Sequence, residues 1–385
     1  MEQAKVNVGK IGPVLFSFFV MSFVDLVGIG VDRVKADMGL SATLAQLIPS
    51  AAFLWFLLLS VWVGTLQDRV GKKKMLNVGM LITALGLLLP FLSYSFVMVL
   101  IGFALLGIGN TIVQVSANPL LVDVVPGSRT SSFLSFSQFV KSVGSMLGAP
   151  LAALFATRFG DWKILFLVFG VVSILAVLWL SLVKIEETAS RREKASMASS
   201  FKLLGSGFVF SMVLSIFLVV GIDVGFNANS GQFLMNKLGL EQTIAESGRS
   251  VYFFGRMLGT FLGALLLAFV STRPFLISTS ILSLAAILAL LIAPGQTVAM
   301  IIIFIIGFGV ANIFPLVYAI AVKRLPERKN EISGLVMMAV SGGAVIPLLM
   351  GFLSDRIGIS AGMIVPAVCT LVILAIALRT RERAV

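Results

Sequence analysis

The chain contains no histidine and a single cysteine, Cys369, which lies inside an apolar run. Without histidine there is no Ser-His-Asp or Cys-His catalytic pair, no histidine proton relay and no imidazole ligand for zinc. One cysteine forms neither a disulfide framework nor a thiolate metal site. Charge is scarce too. Only 12% of the 385 residues are Asp, Glu, Lys or Arg, about half the usual soluble share. Apolar residues make up 58%, and the mean hydropathy is +1.07. A soluble core of this size cannot hide that much apolar surface. The expectation is an integral membrane protein with no cofactor, no metal and no nucleophile–base cluster, hence no enzyme.

A helix that crosses a bilayer needs roughly 20 mostly apolar residues. Twelve such runs stand near 12–31, 43–66, 75–93, 96–123, 133–157, 163–184, 205–228, 246–270, 275–293, 298–322, 332–355 and 361–378. Backbone groups in lipid must pair internally, so each run is expected to be a helix. The opening MEQAKVNVGK is too polar for a signal-peptide core, and the run after it reads as the first span. The net charge is +12. With both termini cytoplasmic, twenty Lys and Arg fall on the inside and seven outside: Arg33, Lys35, Arg158, Lys163, Lys237, Arg249 and Arg356. That bias over short loops sets topology and accounts for the basic balance without nucleic acid. A bacterial-type cytoplasmic (inner) membrane is the expected location.

The longest polar stretch, residues 185–203, reads as a cytoplasmic linker between bundles of six helices at 1–184 and 204–385. The halves echo each other at an offset of 200: Gly39-Leu40 with Gly239-Leu240, Gly107-x-Gly109 with Gly307-x-Gly309, and Pro126 with Pro326. Duplicated halves place a solute site between them near the midplane. Pro119, Pro150, Pro315 and Pro347 lie within spans, where kinks are expected.

After the second span stands Gly64-Thr-Leu-Gln-Asp68-Arg69-Val-Gly71-Lys72-Lys73-Lys74. Its glycines permit close helix packing. Asp68 suits a helix N-terminus or a cation, and Arg69 a carboxylate, so the loop reads as an inner gate. It resembles the G-x-L-x-D-R-x-G-[RK]-[RK] loop of the major facilitator superfamily. A second copy, Gly351-Phe-Leu-Ser-Asp355-Arg356-Ile-Gly358, closes the eleventh span. Further segments resemble the fucose/galactose/glucose–proton symporter branch of that superfamily. They are Gln114-Val-Ser-Ala-Asn118-Pro119, Gln138-Phe-Val-Lys141-Ser142, Val224-Gly-Phe-Asn227, Gly255-Arg256, Phe314-Pro315 and Gly342-Gly343 through Pro347 to Gly351.

That resemblance implies a major facilitator fold of twelve transmembrane helices in two pseudo-symmetric six-helix bundles, and a proton-driven sugar importer with alternating access. Gln114, Asn118, Gln138, Asn227 and Arg256 match the branch. Three positions depart from it. Gln114 replaces the acidic residue of some relatives, and Lys141 replaces the fifth-span Asn. The first-span Asp of the relatives falls near Gly28, three residues after Asp25.

A charge inside a span costs roughly 2.5–3.5 kcal/mol on insertion scales and is a functional candidate by default. Asp25, Lys141, Asp223 and Arg256 are such charges, one acid and one base per half. With no histidine, a buried carboxylate is the natural proton carrier. Asp25, with Lys141 and Asp223, is assigned to proton coupling. A static ion pair that fixes packing is the alternative for each. Asn110, Gln114 and Asn118 recur every four residues and share one helix face. Amides donate and accept at once, as sugar hydroxyls require. The candidate solute residues are therefore Asn110, Gln114, Asn118, Gln138, Lys141, Asn227 and Arg256, with Tyr252 and Tyr318 as rings that could stack on a sugar. Gly64, Asp68, Arg69 and Gly71 are the gating candidates. The expected partners are a small-molecule solute, most naturally a sugar, protons and the lipid bilayer. The expected state is a monomer. A proton-coupled exporter of drugs or metabolites on the same fold is the competing reading, and its cavity would be more aromatic.

Overall fold

In the computed structural model, residues 8–125, 130–187, 201–266 and 269–380 are described. Most of the expected linker 185–203 lies outside them, with Arg191, Arg192 and Lys194, and so do Lys5, Arg129, Arg381 and Arg383. The side chain of Asp68 is also outside the described part. The described chain is helical, with no strand. Eleven helices are long and apolar enough to cross a membrane: Gly9–Met38, Ala42–Gln67, Lys72–Leu92, Phe96–Val124, Phe136–Phe159, Ile164–Leu182, Gly207–Leu238, Thr272–Leu290, Gln296–Arg324, Glu331–Ile357 and Ile359–Arg379. The eighth place in the order is held by Gln242–Leu266, which carries Glu246, Arg249 and Arg256. The protein is a multi-pass membrane protein; with Gln242–Leu266 taken in the eighth place, the described helices follow the order expected and are numbered here as spans one to twelve.

Two spans overrun their apolar windows. The first continues to Met38 and the seventh to Leu238. The apolar run of the first stops near 31 because Asp32, Arg33 and Lys35 follow. The helix does not stop there, because those side chains find partners within the protein instead of water. Because successive spans alternate in direction, the turns after spans one, seven and eleven lie on one face, called here the odd-turn face.

Three spans are interrupted. The first changes from α-helix at Met21 to a 3-10 turn over Ser22–Leu26 and resumes at Val27. The tenth breaks between Val310 and Ile313, and the eleventh between Ala339 and Gly342. Broken helices at membrane depth persist only where neighbours satisfy the freed backbone. The Asn110 amide donates to the Met21 carbonyl at 2.6 Å. Asn312, at the tenth-span break, donates to Gly259 at 2.8 Å. Pro119 and Pro150 lie inside unbroken helices, whereas Pro315 falls in the first turn after the tenth-span break.

The described residues form two compact units. One takes the chain up to Leu26 and from Leu58 to 187; the other takes Val27–Leu57 and everything from 201 on. In the first unit the third span packs on the fourth and sixth. Gly86 and Gly102 meet there so closely that a Cβ on either would press on the other's carbonyl oxygen. In the second unit the seventh span is central. It packs on the eighth, eleventh and twelfth spans and on Val27–Met38.

Candidate solute and proton site

In the first unit the 3-10 turn of the first span holds Asp25 half-buried. The Ser145 hydroxyl of the fifth span donates to Asp25 Oδ2 at 2.5 Å and lies 3.1 Å from the Lys141 carbonyl. Lys141 precedes Ser145 by one turn and is half-buried, on the same helix face. The fourth-span stripe reaches the same turn from the other side. Asn110 is fully buried, and its amide binds the Met21 carbonyl. Its own oxygen accepts from Gln114 Nε2 at 2.8 Å. Asn110 therefore ties the fourth span to the broken turn of the first. Gln114 and Asn118, further along the stripe, are half-buried, and Gln138 is exposed.

In the second unit Asp223 is flanked by two donors of the eighth span. The Tyr252 hydroxyl donates to Oδ1 at 2.6 Å, and Arg256 pairs with Oδ2. The pair keeps partial access, with 17% of the Asp223 side chain and 30% of Arg256 exposed. The Tyr252 ring has none: it is fully buried and stacked on Phe226 at 5.0 Å. Its hydroxyl is engaged on Asp223. Asn227, one turn beyond Asp223, is 2% exposed, and its carbonyl accepts from Arg249 Nε at 2.7 Å. Tyr318 is half-buried with its hydroxyl 2.7 Å from that of Ser333.

The gate-type loop binds within the first unit. Glu187, just after the sixth span, caps the start of the third span by accepting from the Lys72 and Lys73 backbone amides at 2.5 and 3.1 Å. Lys72 Nζ pairs with Asp123 of the fourth span at 2.6 Å. Gly64 is buried and Arg69 exposed. Gly71 precedes the capped turn with φ +100°. The second copy of the loop shows the helix-capping chemistry directly. Asp355 accepts from Ala42 N, Thr43 N and the Thr43 hydroxyl at 2.8, 2.7 and 2.6 Å, at the start of the second span.

One charged cluster was not foreseen. Asp32, Arg33 and Lys35 meet Gln232 of the seventh span and Glu246 and Arg249 of the eighth. Arg33, Lys35 and Arg249 counted in the sequence as topology-setting loop charges. All three are helical and none is exposed; Arg249 is 3% exposed. The available signal was charge continuing in helical register past an apolar window.

Two stretches, residues 14–248 and 208–385, match the family described as Major Facilitator Superfamily. The glucose/galactose transporter of Brucella abortus is 27% identical over 378 residues, which span 91% of this chain and 89% of that protein. Among solved structures, a D-xylose-proton symporter superposes with a TM-score of 0.77 at 15% identity, covering 97% of both chains. The E. coli fucose:proton symporter gives 0.69 at 19% identity, covering 97% and 98%. Both structures share the fold of this chain.

Proposed function

Because the chain belongs to the Major Facilitator Superfamily, we propose that it imports a monosaccharide together with protons by alternating access. The reading rests on one observation above the others. The half-buried amides of the fourth span run into the same broken turn that presents Asp25. Neutral groups that donate and accept sit beside a carboxylate able to take a proton, which is the pairing that sugar–proton symport needs. The curated relative's glucose/galactose specificity supports a hexose as the solute.

In this proposal Gln114, Asn118, Gln138 and Lys141 bind solute in the first unit, and Asp25 carries the proton. Asp223 and Arg256 form the corresponding polar pair of the second unit. The bundles are 1–184 and 204–385, joined by 185–203. The basic bias places both termini in the cytoplasm and the odd-turn face outside, in a bacterial inner membrane. One chain holds the whole path, so a monomer suffices.

The test is uptake of labelled glucose, galactose and fucose into proteoliposomes under an imposed inward proton gradient. Accumulation above the outside concentration, abolished by a protonophore, is the expected result. Failure to move any of the three, together with proton-driven efflux of a cationic dye, would replace this proposal by the exporter reading.

A further inference from the structure

The basic residues of the second unit differ in what holds them. On the odd-turn face Arg33, Lys35 and Arg249 are spent on partners inside the protein. On the opposite face Arg273 donates to the Ala377 and Leu378 carbonyls at 3.2 and 2.7 Å, and Arg328 pairs with Glu331. Lys202, Lys323 and Arg324, on that same face, are exposed, and none forms an ion pair among the described residues. Glu327, three positions past Arg324, is exposed and pairs with none of them.

Arg324 closes the tenth span. Its guanidinium carbon lies 4.2 Å from the centroid of the Phe208 ring, in the first turn of the seventh. The ring holds the side chain by a cation–π contact and uses none of its N–H groups. Lys323 is its neighbour in the same last turn. Lys202 stands one tight turn ahead of the seventh span: the Gly205 amide donates to its carbonyl at 3.2 Å, and the Ser206 amide to that of Leu203 at 3.0 Å. Phe201 and Phe210 in this stretch are 45% and 53% exposed. A helix dipole favours cations in a last turn, which accounts for Lys323 and Arg324 but not for Lys202 ahead of a helix start. A topology signal needs cations in a loop, not one seated on a ring. Both spans are long and apolar enough to cross the membrane, so cations at their ends stand at headgroup depth.

We propose that Lys202, Lys323 and Arg324 form a site for the phosphate headgroup of an anionic phospholipid, with Phe201 and Phe210 as the apolar surface beside it. The bilayer then supplies the counter-ion that the protein does not. Arginine offers phosphate a planar fork of donors, and lysine adds point charge. Each cation near an anionic membrane surface contributes about 1 kcal/mol, which is about fivefold in affinity. An occupied site bridges the start of the seventh span to the end of the tenth. The inference requires only that the chain crosses a bilayer; it stands apart from the identity of the solute.

Native mass spectrometry of the purified full chain, titrated in detergent with dioleoyl phosphatidylglycerol or phosphatidylcholine, reads the fraction that retains a lipid. Phosphatidylglycerol is expected to bind at least about tenfold more tightly. Lys323→Gln with Arg324→Gln is expected to weaken it about 25-fold and Lys202→Gln about fivefold, with phosphatidylcholine unchanged. Arg158→Gln, which removes an exposed cation at the end of the fifth span, is the control and should leave both lipids unchanged. If the double variant fails to fold, Lys202→Gln decides alone. Equal binding of the two lipids would overturn the site. So would an undiminished preference in the double variant, or an equal loss in Arg158→Gln, which means general charge attraction. Competition by glycerol 3-phosphate at the lipid's own concentration would make this a site for free phosphate and overturn the lipid assignment.

Discussion

Asp25→Asn separates proton coupling from every other role of this residue. Asparagine has nearly the shape of aspartate, and its oxygen can keep accepting from Ser145, now 2.5 Å from the carboxylate. The turn over Ser22–Leu26 should therefore stand, and removing a charge from a span relieves a cost of roughly 2.5–3.5 kcal/mol. What the variant lacks is a group that can bind and release a proton. If one proton crosses per solute at Asp25, a membrane potential of about 100 mV supplies about 2.3 kcal/mol per transport event. That corresponds to roughly fifty-fold accumulation, at tenfold for each 1.4 kcal/mol. In proteoliposomes under a potassium-diffusion potential, the parent protein should approach that ratio, and Asp25→Asn should level off near one. Counterflow, which needs solute binding and turnover but no net proton movement, should persist in the variant at half or more of the parent rate. Accumulation by the variant equal to the parent would refute Asp25 as the carrier. Equal loss of counterflow and accumulation would make Asp25 a solute ligand or a structural group instead.

Two further substitutions test the scaffold around that turn. Asn110→Leu removes the donor to the Met21 carbonyl and the acceptor of Gln114, leaving a buried oxygen unpaired, at a cost of about 1–3 kcal/mol. Its thermal midpoint in detergent should fall by several degrees, and hydrogen exchange should rise over residues 22–26; an unchanged midpoint and exchange pattern would show that the amide does not support the break. Gly28→Ala places a methyl against Asn227 and Arg249, so closure of the first span on the seventh should be blocked and both uptake and counterflow lost in protein that still elutes as a folded monomer. Normal counterflow in that variant would mean the contact is not made during transport.

Much of the architecture was legible because a bilayer leaves few options. Apolar windows locate the helices, and within them Asp25, Lys141, Asp223 and Arg256 stand out in the sequence as charges. Helix breaks were less legible. The first span contains no proline at residues 22–26, and its interruption depends on Asn110, 89 positions away. The spacing of Asn110, Gln114 and Asn118 puts them on one helix face, but spacing cannot tell which amide is consumed by a carbonyl and which stays half-buried. Tyr252 illustrates the same limit: its ring is covered by Phe226, a neighbour on another span. The charged cluster at Asp32, Arg33 and Lys35 was invisible for a simpler reason. Arg33 and Lys35 sit where loop charges normally sit, and their partners are some 200 positions along the chain.

The departure at Gly28 gains a physical meaning from these contacts. The related symporters resembled in sequence carry a first-span aspartate at about this position. Here any side chain at 28 would occupy the space taken by Asn227 and by the Arg249 guanidinium that donates to its carbonyl. A carboxylate cannot stand there while the helices meet so closely. Asp25, three residues earlier, lies in the 3-10 turn, where a helical neighbour does not fill the space and Ser145 offers a donor. The proposed proton carrier thus lies in the interrupted turn of the first span itself. In the proposed cycle, a proton taken up at Asp25 changes the charge of that turn, and coupling requires that the turn prefer one geometry when charged and another when neutral, which the Asp25→Asn experiment tests.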